Sequence, residues 1–269
     1  MNNVYVLIPR MEVSRATAMP AWWLVAAPGP LPAVGFAHNL GRTLGVKEQG
    51  TCLVHHTEQM LMEDSLGYAY SPQQHRAAMY SMTDAMGSGD YSSKNKNALS
   101  LQPVVECNVT VSLLIAFPEE EPIDAQLIER FLVGARYGGG LVHEHGEVRV
   151  LKSLEECRSH LKSGFVVNER SDLILERMQA GLSQLDALLE LTRSDNRSAN
   201  PWLVPANLGF ATITPPTLKS GGRESYPHAF GEPLIGLTQY VPVRDGLAFW
   251  QYSNPEPNIF TITTKPKEI

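Results

Sequence analysis

Few residues in this chain could do chemistry, and most lack the partners that chemistry needs. His38 lies four residues before Arg42, early in a stretch with helical spacing. A helix N-terminus can hold a phosphate, and an imidazole beside it, acting as general acid or base, would activate a 2′-hydroxyl for RNA cleavage. The plainer reading of His38 is a histidine bonded to a loop carbonyl. His143-Glu144-His145 places imidazoles at i and i+2, which share a strand face. Two ligands do not make a zinc site, and no cysteine lies nearby in sequence, so a solvated turn is the plainer reading. His55 and His56, adjacent in a strand, point to opposite faces and do not share a metal. The glycine-rich stretches match neither GxxxxGK[ST] nor GxGxxG, so neither a nucleotide-driven engine nor a dehydrogenase is supported. No metal and no cofactor is implied.

The stretch Arg136-Tyr137-Gly138-Gly139-Gly140 is different. Three consecutive glycines exceed what a helix C-cap needs. Such a run either lets a backbone or ligand approach closely, with N–H groups free to meet anionic oxygens, or is a flexible connection. Both readings stand from these residues alone. Between positions 10 and 47, Arg10, Arg15, Arg42 and Lys47 face only one acid, Glu12. Together they can build a local basic groove, and each alone is an ordinary solvated charge.

The elements that must position these residues follow from periodicity. Val4–Ile8 is a fully apolar strand ended by Pro9-Arg10, of the kind covered on both faces. Residues 18–32 hold four prolines with Trp22 and Trp23 and form an ordered loop, where the tryptophans either cover the core or offer an exposed stacking surface. A helix opens at Pro32 and runs to Gly45, with Val34, Ala37, Leu40 and Leu44 inward. Thr51–Gln59 is a second strand. Asn108–Phe117 alternates as a third, with Val109, Val111, Leu113, Ile115 and Phe117 on one face. A helix spans Pro122–Ala135, and Leu141-Val142 and Val148–Val150 are strands. Two β-α-β halves of this kind predict an α+β protein with a ferredoxin-like core. Residues 71–104, polar and turn-rich with Lys94 and Lys96, read as a protruding hairpin, with a disordered segment as the alternative. From Ser153 the chain turns helical. Leu173, Met178, Leu182, Leu185 and Leu189 are expected to line one side, with a break over 181–186 and Ser183 capping the second piece. The predicted organisation is a core over 1–152, a helical addition over 153–200 and irregular strands over 201–269 that pack back on the core.

Composition permits this. The 269 residues are 43% hydrophobic, and the formal charge of −6 gives no global field for nucleic acid. Cys52, Cys107 and Cys157 are odd in number and widely spaced, as expected of free thiols in a reducing cytosol. No signal peptide is evident, and the apolar run 21–34 is too short and proline-rich to span a membrane, so a cytoplasmic protein is expected.

Several ordered stretches together resemble one family. Val6-Leu7-Ile8-Pro9-Arg10, Gly35-Phe36-Ala37-His38-Asn39-Leu40-Gly41-Arg42, Val109–Leu114, Arg136–Gly140, Gly164–Val167, Leu185–Leu191, Trp202–Pro205 and Phe230–Pro233 are similar, in order, to the Cas-five-type, Csy-two-like subunit of type I-F CRISPR surveillance complexes. The resemblance implies a non-catalytic scaffold of the repeat-associated RNA-binding (RAMP) superfamily: an RRM-like, ferredoxin-like core, a thumb hairpin over about 71–104 and a glycine loop. It implies a role in holding the 5′ handle of the CRISPR RNA. The implied partners are the large subunit, the backbone subunit and, through the complex, target DNA. This chain is shorter than the usual member, and its thumb region carries fewer basic residues.

On that reading the amides of Gly138, Gly139 and Gly140 and the side chains of Arg10, Arg42 and Arg136 hold phosphates. Arg15 and His38 belong to the same basic surface, and Lys94 and Lys96 clamp the guide. Tyr137 or Trp22 supplies stacking. The alternatives are a repeat-RNA endoribonuclease using His38, which needs a Lys or Tyr partner, and a phosphate-ligand-binding protein. Replacing Arg10 and Arg136 together by Ala is expected to weaken handle binding and flatten its salt dependence. Unchanged affinity and slope, measured by salt titration, would remove both from the groove.

Overall fold

Val105, Cys107, Val109, Val111, Leu113, Ile115 and Phe117 alternate along strand β6 (Val104–Pro118) and are buried in one cluster. Leu114, between them, is buried in a second cluster on the other face. A strand buried on both faces must be central. In the computed structural model, which describes residues 3–65, 68–72, 74–75, 104–161, 163–195, 200–220 and 226–264, β6 pairs antiparallel with β1 (Asn3–Thr17) and β2 (Gly50–Met60). The chain is an α+β protein with a large antiparallel sheet and, among the described residues, five helices.

Strand β1 does not stop at Pro9, as the sequence suggested. It continues to Thr17 through register shifts between Ile8 and Met11 and between Val13 and Ala16. Proline gives no N–H to a ladder, and a bulge is where a strand tolerates that loss. Arg10 and Arg15 take left-handed backbone at these bulges, with φ of 48° and 56°. The bulged backbone stays satisfied: the Arg10 amide donates to Ser112 Oγ at 2.8 Å, and Pro9 O accepts from the Gly146 amide at 2.7 Å. On its other edge β1 pairs with β8 (Gly140–Glu144) and β9 (Arg149–Leu151), and β8 turns back from β7 (Arg136–Tyr137), which gives the order β2-β6-β1-β8-β7.

Helices α1 (Pro30–Leu44) and α2 (Ala125–Leu132) bury Val34, Phe36, Ala37, Leu40, Ile128 and Leu132 in the cluster that holds Val6 and Ile8. Helix α2 starts later than Pro122 because the Asp124 carboxylate caps it, accepting from the Gln126 amide at 2.8 Å. Helix α3 (Leu154–His160) covers the opposite face, where Cys157 packs with Leu7, Cys52, Val54 and Leu114. The three cysteines are free and buried.

Strand β10 (Phe165–Glu169) lies between α3 and α4 (Ser171–Gln179), in the stretch that read as helical. A fifth helix, α5 (Gln184–Thr192), begins at Ser183, whose hydroxyl accepts from the Asp186 amide. The break resets the helical phase, so the expected leucine stripe does not hold. Leu185 and Leu189 are exposed, while Ile174, Ala187, Leu188 and Leu191 are buried. Residues after 201 form four antiparallel strands, β11 (Leu203–Thr212), β12 (Gly231–Pro242), β13 (Trp250–Glu256) and β14 (Ile259–Thr264). The pairing runs β10-β12-β11-β14-β13, and β10 and β13 both pair with β2. The sheet therefore leaves β2 and returns to it. Fully buried Trp250 bridges this closure, donating from Nε1 to Val167 O at 2.8 Å. Glu169 ties β10 to β14, its Oε2 accepting from Thr263 Oγ1 and from the Thr264 amide, both at 2.8 Å.

The thumb expected over 71–104, with Lys94 and Lys96, lies outside the described residues except at its flanks. There β4 (Tyr68–Pro72) pairs with β3 (Met62–Ser65), and β5 (Gln74–His75) pairs with the start of β6. No helix among the described residues is long and apolar enough to cross a membrane.

His55, only 5% exposed, binds Pro28 O through Nε2 at 3.1 Å, and burial lowers its pKa from 6.5 to about 4. The unfolded chain therefore takes up the proton first as pH falls. This contribution to stability is whole above pH 6.5 and declines by about 1.4 kcal/mol per unit toward pH 4. His56, also lowered to about 4, acts in the same direction. Urea midpoints should fall across that range, with a shallower fall in His55→Gln; a flat wild-type profile would refute the assignment.

Candidate nucleic-acid interface

Tyr137 and Gly140 form the last pair of the β7–β8 ladder, so Gly138 and Gly139 alone make the turn. Their φ values, 55° and 85°, are both left-handed, as a two-residue turn matched to strand twist requires. Gly140 serves a different need. A β-carbon there would lie 2.5 Å from Ser14 O and 2.7 Å from the Ala16 nitrogen, so only glycine lets β8 approach β1. Gly140 is thus buried in the sheet, and the turn that meets solvent is Gly138-Gly139. Gly138 O accepts from the Thr17 amide at 2.8 Å, and Arg136 Nη1 donates to Gly139 O at 3.0 Å. The amides of Gly138 and Gly139 make no hydrogen bond among the described residues.

This turn forms one rim of a cavity of about 510 Å³. The other walls come from the proline-rich loop at Met19, Pro20 and Pro28, from α1 at Gly35, Phe36 and Asn39, and from β11 at Ala206, Asn207 and Phe210. The loop is fixed from two sides. Asn207 Nδ2 donates to Pro20 O at 3.2 Å, and His55 holds Pro28 O. Its size is that of small-ligand sites, and its lining is mostly apolar with Arg136 and Asn39 at the rim. The start of α1 adds few donors, because Pro30 and Pro32 carry no N–H.

The structure gathers only part of the predicted set here. Arg136, Gly138 and Gly139 line the cavity, and exposed Arg42 lies three residues beyond Asn39 on α1. Tyr137 is fully buried, edge-on to Phe36 with ring centres 6.1 Å apart, so its ring has no free face for a base. Its hydroxyl has no partner among the described residues, and burial raises its pKa far above the tyrosine range. Trp22 and Trp23 do not cover the core; Trp22 is 77% exposed. His38 sits mid-helix rather than at the N-terminus. Its Nδ1 meets Glu48 Oε1 at 3.1 Å, a carboxylate rather than the expected loop carbonyl, and its ring stands edge-on to Tyr252 at 5.4 Å.

Arg10 and Arg15 do not reach the cavity. Arg10 Nη2 donates to Ser163 Oγ at 3.3 Å, just after α3. Its charge, after desolvation, helps depress His56, whose Nε2 lies 2.6 Å from Ser112 Oγ. Arg15 Nε donates to Glu106 Oε2 at 2.9 Å. His143 Nε2 meets Ser14 Oγ at 2.5 Å, while His145 faces Gly146 O and Glu129. Among the described residues no group of His, Cys, Asp and Glu is placed to hold a metal.

Sequence reasoning missed the aromatic surface beside the cavity. Phe210, at the mouth, and Phe260 are partners across β11 and β14. Phe260 packs against Tyr252 in a tilted arrangement with ring centres 5.0 Å apart, and Tyr252 meets His38. Only strand register brings these rings together, and no local pattern in the sequence encodes it.

A family model, CRISPR-associated protein (Cas_Csy2), matches residues 6–254. No curated protein matches the chain.

Proposed function

The chain belongs to the Cas_Csy2 family of CRISPR-associated proteins, and from that membership we propose that it is a non-catalytic RNA-binding scaffold of a type I-F effector complex. In this role it holds the 5′ handle of the CRISPR RNA and contacts the large and backbone subunits, with target DNA met through the complex. The observation that carries the reading is the Gly138-Gly139 turn, with unpaired amides and Arg136 beside it, at the mouth of a cavity large enough for part of a nucleotide chain. The strand order β2-β6-β1-β8 with α1 and α2 on one face supports a ferredoxin-like, RAMP-type core over 1–152. A thumb over about 71–104, a helical addition over 153–200 and a strand-forming segment over 201–269 complete the proposed organisation.

Phosphate contacts fix position without reading sequence. Arg136, Arg42 and the Gly138 and Gly139 amides are assigned to that task, and Arg10, on the α3 side, to a separate contact. Arg15, held by Glu106, and buried Gly140 support the fold of the groove. Lys94 and Lys96 keep the proposed thumb role.

Ribonuclease activity through His38 is the second reading, and one observation favours it. Tyr252, the type of partner such a mechanism needs, stands beside His38, and Glu48 is poised to orient the imidazole. The scaffold reading gives these groups no catalytic task.

Co-expression with neighbouring CRISPR proteins, purification through a tag on this chain and sequencing of the recovered RNA tests the proposal. Uniform guides with an intact repeat-derived 5′ handle are expected. No RNA, or metal-independent repeat cleavage that His38→Ala abolishes, would overturn it. In salt titrations Arg136→Ala should reduce the slope by about 0.7, the value for one phosphate contact to a single strand.

A further inference from the structure

We infer that the cavity is a pocket for one extruded base of single-stranded RNA and that neighbouring bases stack on the Phe210–Phe260 surface leading from it. The inference rests on the RNA-binding reading and adds to it where the bases go.

The cavity matches a base better than it matches a phosphate. Buried Phe36 and Pro28, with Met19, give it apolar walls, while groups suited to phosphate, the Gly138-Gly139 turn and exposed Arg136, line its solvent side. A nucleotide with its base inside and its backbone across the turn satisfies both regions. Asn39, also at the rim, has a carboxamide that makes no hydrogen bond among the described residues, so it is available for a base edge.

Phe210 carries the strand outward. As direct partners in antiparallel strands, Phe210 and Phe260 present their rings on one face. They are 42% and 39% exposed, respectively, and Tyr252 and His38 extend the row along the side of α1. Aromatic rows of this kind accept successive bases without regard to sequence, because every base has a π-face. Arg42 lies on α1 near the far end of the row, where it can meet the backbone of the stacked nucleotides. The chain's formal charge of −6 argues against a long phosphate track, which leaves stacking as the main source of affinity at this surface.

Gly35 gives a clean test. It lines the cavity, and a β-carbon there meets nothing within 4 Å, so Gly35→Phe fills the space from an exposed helical position without forcing the backbone. The complex is co-expressed and purified through the tagged chain as wild type, Gly35→Ala, Gly35→Phe and Phe260→Ala. Recovered RNA is quantified per chain, UV adducts are mapped by mass spectrometry and melting temperatures are recorded. Wild type should give base adducts on Phe210 or Phe260. Gly35→Phe and Phe260→Ala should each hold RNA roughly tenfold more weakly, the scale of one lost base–aromatic stack. Gly35→Ala, which adds only a methyl group to the wall, should fall between wild type and Gly35→Phe. Wild-type RNA retention with unchanged adducts in both Gly35→Phe and Phe260→Ala would overturn the pocket while leaving the scaffold reading intact, as would adducts confined to other surfaces. Absence of RNA from the wild-type complex would instead overturn the scaffold reading and the pocket with it. Should Gly35→Phe melt early, surface-exposed Phe260→Ala and the adduct map decide the question.

Discussion

Gly140 lies so near β1 that a β-carbon would meet Ser14 O at 2.5 Å, and the geometry of the candidate site follows from that approach. With β8 seated on β1, the Gly138-Gly139 turn is carried to Thr17, whose amide bonds Gly138 O, and to Pro28, which lies 3.5 Å from the place of a Gly138 β-carbon. The turn can then form one rim of the cavity with its own amides still unpaired. The bulge between Val13 and Ala16 belongs to the same arrangement, because it bends β1 where the hairpin must dock. A side chain at position 140 would have to push the hairpin off the sheet, and the rim would move with it.

The opposite wall depends on the rest of the chain. Ala206, Asn207 and Phe210 belong to β11, which reaches the cavity because the second group of strands departs from β2 and comes back to it. Trp250 and Glu169 hold that closure from within, one through Val167 O and the other through Thr263 and Thr264. His55 on β2 then pins Pro28 of the intervening loop. The cavity is therefore a long-range product: no continuous segment contains it, and it exists only when both groups of strands have docked on β2.

This explains what the sequence made legible. Alternation placed Val109 to Phe117 on one face of a strand, and helical spacing found the α1 stripe, because both signals are local and period-bound. The glycine run stood out for the same reason, though the division of labour between Gly138-Gly139 and Gly140 needed the position of β1. Pro9 misled because a bulge can absorb a missing N–H, and the leucines after Gly181 misled because Ser183 starts a new helix with a new phase. The Phe210–Phe260 pairing was out of reach, since the register between β11 and β14 is a long-range property that neither strand's own sequence encodes. The burial of Tyr137 was equally hidden: a tyrosine before a glycine turn looks like a stacking residue until Phe36 closes over it.

On the proposed RNA-binding reading, an acidic protein must concentrate its few favourable charges and find the remaining affinity elsewhere. Here Arg136 is braced against Gly139 O, which spares the side-chain entropy that a free arginine would lose on meeting a phosphate. Arg15 is engaged by Glu106, so it adds no mobile cation to the surface. On that reading the surface attracts a polyanion through a few cations preorganised at one short stretch rather than through a long basic track. It would then favour a single strand whose bases can leave the stack and meet exposed Phe210 and Phe260, because a duplex keeps its bases inside and offers only phosphates. On the same reading, discrimination between single and double strands would follow from where the rings are, with no need for a basic face.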